Sequence, residues 1–181
     1  GFLVGRTGVV VTESGGSLAD GQWLRAEIAK RTDKPITHVV LTHVHPDHVF
    51  GAGAFVQDKP VFIGHAKLTE ALAARGEFYR KRLIDLLGED RTGPVVYPTM
   101  SVADTAEIDL GDRRLTFTAH GPAHTTSDLS MIDSGSGLLF PADLLFVNRI
   151  PSLDGSLKGW LREIERLKAM GPARAVPGHG P

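Results

Sequence analysis

The sequence predicts an α/β domain. Short β-rich runs alternate with amphipathic helical periods, Gly, Pro or Asp bounds each run, and 181 residues with 41% hydrophobic side chains suffice for one substantial core. A single domain is expected.

Taken in order, Gly1-Phe2-Leu3-Val4 reads as part of a strand. Further strands are expected over residues 8–12, 37–42, 60–64, 114–119, 129–133, 137–141 and 174–176, each a short run between breakers. Helices are expected over 18–30, 66–87 and 156–170, with Gly76 a weak point in the second. The third has the clearest pattern: Leu157, Trp160, Leu161, Ile164 and Leu167 fall on one stripe, Lys158, Arg162, Glu163 and Glu165 lie opposite, and Gly171-Pro172 stops it. Its apolar stripe is expected to cover a sheet face. Residues 88–106, rich in Gly, Pro and Thr with little periodicity, read as a long loop, a common place for substrate contacts.

Composition narrows the function. Twenty basic against 21 acidic side chains give a net charge of -1 without a long like-charge run, so nothing marks a nucleic-acid or anionic-lipid surface. With no Cys, the chain has no disulfide, no thiolate nucleophile and no sulfur ligand, so any metal site must be built from His, Asp and Glu. No apolar run approaches the roughly 20 residues of a membrane span, and no signal segment is present. The sequence opens on Gly1 without Met and stops two residues after His179, so natural terminal segments are expected to be missing, a signal peptide possible among them.

The histidines cluster. Three of the eight lie in Thr42-His43-Val44-His45-Pro46-Asp47-His48, at the C-terminal end of the strand expected over 37–42, where α/β sheets usually carry their sites. By composition alone, His-x-His-x-Asp-His has a chance on the order of 10⁻³ of occurring in this chain. His43 and His45, two apart on extended backbone, reach one side together, and Asp47 and His48 curl back to add a second N/O pair. Borderline metals such as Zn²⁺ take such ligands.

Four ligands do not fill two catalytic sites, so more are expected at strand ends downstream. His124 in Gly121-Pro122-Ala123-His124-Thr125, Asp143 in Phe140-Pro141-Ala142-Asp143-Leu144 and His179 in Val176-Pro177-Gly178-His179-Gly180 each follow an expected strand. Singly, each reads as a polar residue in a turn; with the first cluster they form one constellation.

His43, His45, Asp47 and His48, followed by His124, Asp143 and His179, resemble the five-motif pattern of the metallo-β-lactamase superfamily across essentially the whole chain, and residues 8–17 are similar to its early strand and turn. The resemblance implies an αββα sandwich with metals at one edge of the two sheets. It places one ion on His43, His45 and His124 and a second on Asp47, His48 and His179, with Asp143 bridging. Glu13 stands where many members carry an Asp. Without a Cys ligand, the chain is more similar to the carboxylate-bridged branches, such as glyoxalase II, lactonases and arylsulfatases, than to the Cys-bearing β-lactamases. The segments from Asp143 to Phe146, Arg149 to Pro151 and Asp154 to Trp160, with His120 to Thr125 and Asp128, look like the quinoprotein-relay zinc metallohydrolases, a bacterial group of periplasmic oxidation systems.

That resemblance implies a hydrolase holding two Zn²⁺ ions and acting on an ester, thioester or related small molecule. Water between two divalent ions ionises near neutral pH, so a metal-bridging hydroxide is the expected nucleophile, with Asp47 both ligand and proton acceptor. Activity and metal affinity are expected to fall together below about pH 6, as the ligand histidines protonate. The alternatives are a mononuclear iron sulfur-compound dioxygenase, a β-lactamase, and a non-catalytic metal-binding partner of a periplasmic redox system.

Other polar residues draw lesser expectations. His120 and Asp128 are candidates to orient a ligand or touch substrate. His38 is expected to be exposed, and His65 to be a cap or pocket-rim residue. Arg75, Arg80, Lys81 and Arg82 read as a charged helix face, while Phe78 and Tyr79 suit core or groove equally.

Overall fold

A computed structural model describes residues 1–180. Its elements are β1 (Phe2–Val4), β2 (Val9–Val11), α1 (Leu18–Ala29), β3 (Ile36–Leu41), α2 (Pro46–Val49), β4 (Val61–His65), α3 (Leu68–Leu87), β5 (Met100–Val102), β6 (Thr105–Asp109), β7 (Arg114–Ala119), β8 (Leu129–Asp133), β9 (Leu138–Phe146), α4 (Leu157–Ala169) and β10 (Arg174–His179). A 3₁₀ segment, Phe50–Asp58, follows α2.

Two five-stranded sheets form, in the orders β1-β2-β3-β4-β5 and β10-β9-β8-β7-β6. In the first, β1 is antiparallel to β2 and the rest run parallel; in the second, only the pairing of β10 with β9 is parallel. Alternation along the strands assigns the faces. Val10, Val40 and Ile63 meet Leu115, Phe117, Leu129 and Met131 between the sheets. Val9, Val11, Val39 and Leu41 point the other way, onto Ile28, Phe50, Phe55, Leu68 and Leu72 of the helical layer. On the outer face of the second sheet, Leu139 and Leu144 pack against Trp160 and Leu167 of α4. The layers run α, β, β, α, as expected.

The differences from the sequence expectation have local causes. The strand expected over 137–141 runs on through Asp143 to Phe146. Ala142 takes φ 51, a left-handed conformation unusual for a residue with a Cβ, and the register with β10 shifts beside it. That irregularity buries four consecutive residues, 141–144, where a regular strand would alternate. Asp143 thus lies inside a strand, and His179 is the last residue of β10.

Residues 88–106, expected to be a loop, contain β5 and the start of β6. Val95 and Val96 of this stretch pack into the core under the first sheet. The gap at Gly76 permits that docking, since a Cβ there would press into the Val95 side chain, and α3 runs through Gly76 uninterrupted. The stripe expected on α4 is only partly covered, since Leu157 and Leu161 are 60% and 59% exposed.

Candidate metal centre

The first sheet delivers one half of the centre. After β3 the chain passes through Thr42, His43 and Val44, and Pro46 opens α2, which carries Asp47 and His48 on its single turn. The second sheet and its connections deliver the rest: His124 from the β7–β8 connection, Asp143 from β9 and His179 from the end of β10. Asp128 accepts hydrogen bonds from the Thr125 amide and hydroxyl at 2.9 and 2.5 Å, closing the turn that presents His124.

All seven expected ligands come together. His45 Nδ1 lies 3.2 Å from His43 Nε2 and 2.9 Å from His124 Nε2, and Asp143 Oδ2 lies 3.7 and 3.3 Å from His43 Nε2 and His124 Nε2. His179 Nε2 lies 3.1 Å from Asp47 Oδ2, 3.3 Å from His48 Nε2 and 3.3 Å from Asp143 Oδ2. Asp143 stands between the two groups, its Oδ1 3.3 Å from His48 Nε2.

The outer nitrogens are held as donors, which fixes the tautomers. His48 Nδ1 donates to Glu13 Oε1 at 2.7 Å, His45 Nε2 to Asp154 Oδ2 at 3.1 Å and His124 Nδ1 to the Ser152 carbonyl at 3.1 Å. Wherever such a ring is neutral, its inner nitrogen therefore turns a lone pair toward the centre. Glu13, standing where many members of the superfamily it resembles carry an Asp, also accepts from the Thr42 hydroxyl at 3.0 Å and so orients His48 from a second anchor.

This donor set suits a divalent ion. Zinc–nitrogen bonds of about 2.0–2.1 Å around a tetrahedron put ligand atoms about 3.3–3.4 Å apart, close to the separations above. Asp143 Oδ1 is buried and accepts no hydrogen bond, a costly state for a carboxylate oxygen unless a cation meets it. Electrostatics agree. Burial and neighbouring histidines hold His43 well below the usual imidazole range, and burial above all lowers His124 to about 4, despite Asp143. Both are neutral and ligand-ready. Burial opposes a charge on His48, yet Asp143, Asp47 and Glu13 outweigh it and raise that residue well above its ordinary value. Burial likewise opposes a charge on Asp47, but His48 and His179 bring it down to about 2. The carboxylates thus draw positive charge into the centre.

Outside the cluster the expectations fared unevenly. His120 does not join the centre: its Nδ1 donates to Glu163 Oε2 of α4 at 2.7 Å and its Nε2 accepts from the Ser130 hydroxyl at 2.7 Å. Asp128 closes the turn that carries His124, and its burial pushes the carboxyl up to about 6 against the bonds from Thr125. His65 Nδ1 accepts from the Lys67 amide at 2.9 Å, a capping contact at the start of the helical turn. His38 is half-buried rather than exposed and sits 2.9 Å from Thr37 Oγ1. Tyr79 leans on the core while Phe78 is exposed.

Arg75, read as part of a charged helix face, binds Asp154 Oδ2 at 2.6 Å and so steadies the carboxylate that holds His45. Asp154, Arg75 and Ser152 went unrecognised as supports. Arg75 and Asp154 are 79 positions apart. No local pattern links them.

A four-layer αββα fold with clustered His and Asp donors at the edge of its two sheets defines a metal-binding hydrolase fold. The chain belongs to the metallo-β-lactamase superfamily, whose family model matches residues 1–179. It is similar to a linear primary-alkylsulfatase of Pseudomonas sp. (strain ATCC 19151), 23% identical over 210 residues, covering 96% of this chain and 39% of that protein. It is also similar to the acyl-coenzyme A thioesterase MBLAC2 of Homo sapiens, 32% identical over 133 residues, covering 67% of this chain and 43% of that protein. The chain thus spans about two-fifths of the length of these relatives. Among solved structures, a metallo-β-lactamase from Pontibacter korlensis matches with a TM-score of 0.82 at 20% identity, covering 99% of this chain and 78% of that one. A sec-alkyl sulfatase matches at 0.75 and 18% identity, covering 99% and 35%. Both likenesses establish the fold. No helix among the described residues is long and apolar enough to cross a membrane.

Proposed function

We propose that this domain is a zinc-dependent hydrolase holding two ions, one on His43, His45 and His124 and the other on Asp47, His48 and His179, with Asp143 between them. The observation that carries this reading is the buried Asp143 carboxylate, placed between two groups of inward-facing nitrogens with one oxygen unpaired. The relatives named as a sulfatase and a thioesterase support an ester, thioester or sulfate ester of a small molecule as substrate. The likeness of the stretch from Asp143 to Trp160 to the quinoprotein-relay group, and with it a periplasmic setting, belongs to the same proposal.

When bound, a divalent pair supplies Lewis acidity to a substrate oxygen and a nucleophile from water at neutral pH. The chain's residues supply the rest. The Thr42, Asp154 and Ser152 contacts hold the rings of His43, His45 and His124 with their inner nitrogens turned to the centre. Asp47, 53% exposed at its side chain and ionised across the neutral range, accepts a proton at Oδ2 on the open side of the centre.

Elemental analysis of protein purified without added metal, paired with Asp47→Asn, tests the proposal. About two zinc per chain and loss of at least 10²-fold in turnover, with the metal retained, are expected. One iron per chain with oxygen uptake would instead establish a dioxygenase. Full zinc with no turnover across esters, thioesters, sulfate esters, lactones and lactams would leave a binding role.

A further inference from the structure

A cleft of about 260 Å³ lies beside the centre, on the flank of His43, His45 and His124. No metal-binding candidate lines it, but their neighbours do. Val44 stands between His43 and His45, Thr125 follows His124, and Asp154 accepts the hydrogen bond from His45 Nε2. The facing wall is one stripe of α3, made by Lys67 at its N-cap and Glu70, Ala71, Ala74 and Arg75, spaced three and four residues apart.

Ala71 and Ala74 give the cleft its room, because longer side chains at either position would occupy it. Their methyl groups and Val44 form an apolar middle, while the charges gather in opposite-sign pairs toward its ends. Lys67 and Glu70 precede the two alanines on α3, and Arg75, which follows them, binds Asp154 at 2.6 Å. Phe78, one turn beyond Ala74 on the same stripe, is 65% exposed and carries the apolar surface outward. At about 30 Å³ per water-sized atom, the cleft has room for about nine non-hydrogen atoms.

We propose that this cleft receives the acyl arm of an ester or thioester substrate, an uncharged alkyl or aryl group whose size limit Ala71 and Ala74 set. This rests on the hydrolase reading above. The choice of the acyl arm follows from the route of the proton. As the water oxygen bonds to the acyl carbon, one of its protons passes to Asp47 Oδ2; the bond to the leaving group then breaks and Asp47 returns that proton to it. The leaving group thus departs on the side of Asp47, which stands with His48 and His179, and the acyl arm turns toward His45, where the cleft lies.

The zinc-loaded protein is assayed with para-nitrophenyl acetate and para-nitrophenyl hydrocinnamate, which share a leaving group and differ only in the acyl arm. The hydrocinnamate is preferred about tenfold or more in kcat/KM, as burial of its arm requires. Ala74→Phe, at an exposed position that tolerates the larger ring, fills the cleft and removes the preference. Ala73→Phe, the same change one residue off the stripe, keeps it. Methyl NMR with hydrocinnamyl alcohol, which contains no scissile bond, reads the site apart from turnover. The alcohol shifts the Val44, Ala71 and Ala74 methyl signals in the wild type, and in Ala74→Phe those of Val44 and Ala71 no longer move. Equal use of the two esters, a preference that survives Ala74→Phe or is lost in Ala73→Phe as well, or methyl signals indifferent to the alcohol overturns the subsite. Methyl shifts abolished by Ala74→Phe, without turnover of either ester, sink the hydrolase reading and leave the subsite standing.

Discussion

Gly178 leaves open the space that the Asp143 carboxylate fills. A Cβ at Gly178 would overlap Asp143 Oδ1 and the Ala142 backbone, so the two strands meet there only because one residue has no side chain. Asp143 cannot retreat, since Ala142 beside it is already in a left-handed conformation and the carboxylate is walled by His43, His48, His124 and His179. Gly178→Ala is expected to displace Asp143 and weaken metal binding about 10- to 100-fold, as loss of a ligand's support does. Competition against a coloured chelator reads the affinity; wild-type affinity in the variant would refute the assignment of Asp143 as the shared ligand.

Glu13 offers a selective test of the second half of the centre. Its carboxylate accepts a hydrogen bond from His48 Nδ1–H, while the His45 and His124 rings are held by Asp154 and Ser152. Glu13→Ala is expected to lower affinity about 10- to 100-fold at the Asp47–His48–His179 site and to spare the other. Titration with zinc would then show one tight and one weakened equivalent. Equal weakening of both would mean that the two halves do not act separately.

What the sequence revealed and what it hid have physical reasons. The segment from His43 to His48 was legible because its spacing acts locally, over one strand end and one helical turn. The strands expected over 114–119 and 129–133 coincide with β7 and β8 for a similar reason: each is a short run with sharp boundaries. Asp143 was expected as a ligand but placed after its strand, because the bend at Ala142 is a tertiary irregularity with no Gly to announce it. In β6, Ala106 and Ile108 point inward while Glu107 and Asp109 alternate with them, yet the Gly/Pro-rich run before it drew the whole stretch toward a loop reading. Asp154 and Arg75 act only through contacts made by the finished fold, which no periodicity encodes.

Metal removal should loosen the sandwich as a whole. His43, His45, Asp47 and His48 follow the first sheet, whereas His124, Asp143 and His179 belong to the second, so ions bound among them join the two layers. At a free metal concentration 100 times Kd, binding adds about 2.7 kcal/mol to stability. That amounts to roughly 5–11 °C in Tm for a chain of this size. Differential scanning calorimetry with EDTA, then with zinc restored, checks it. A Tm indifferent to both would show that the donors do not bind zinc in the folded state.

The His120–Glu163 pair predicts how stability responds to acid in the metal-free protein. Burial lowers the His120 imidazole below its ordinary value, Glu163 opposes this, and Arg166 reinforces it. His65, whose Nε2 donates to the His120 carbonyl at 3.2 Å, faces it from β4. Burial also opposes a charge on Glu163, but the hydrogen bond from His120 wins and lowers its carboxyl. Both groups bind protons less readily folded than unfolded, so stability rises with pH. The His120 contribution is present above about pH 6.5 and is lost as pH falls through the lowered folded value; the Glu163 contribution follows from about pH 4.5 downward. Glu163→Gln removes the partner that supports a proton on His120, so the loss of Tm between pH 7 and 5.5 should steepen, whereas His120→Asn should flatten it. Thermal melts of chelated protein across that window decide the matter, and a slope unchanged in both variants would remove His120 as a source of the acid sensitivity.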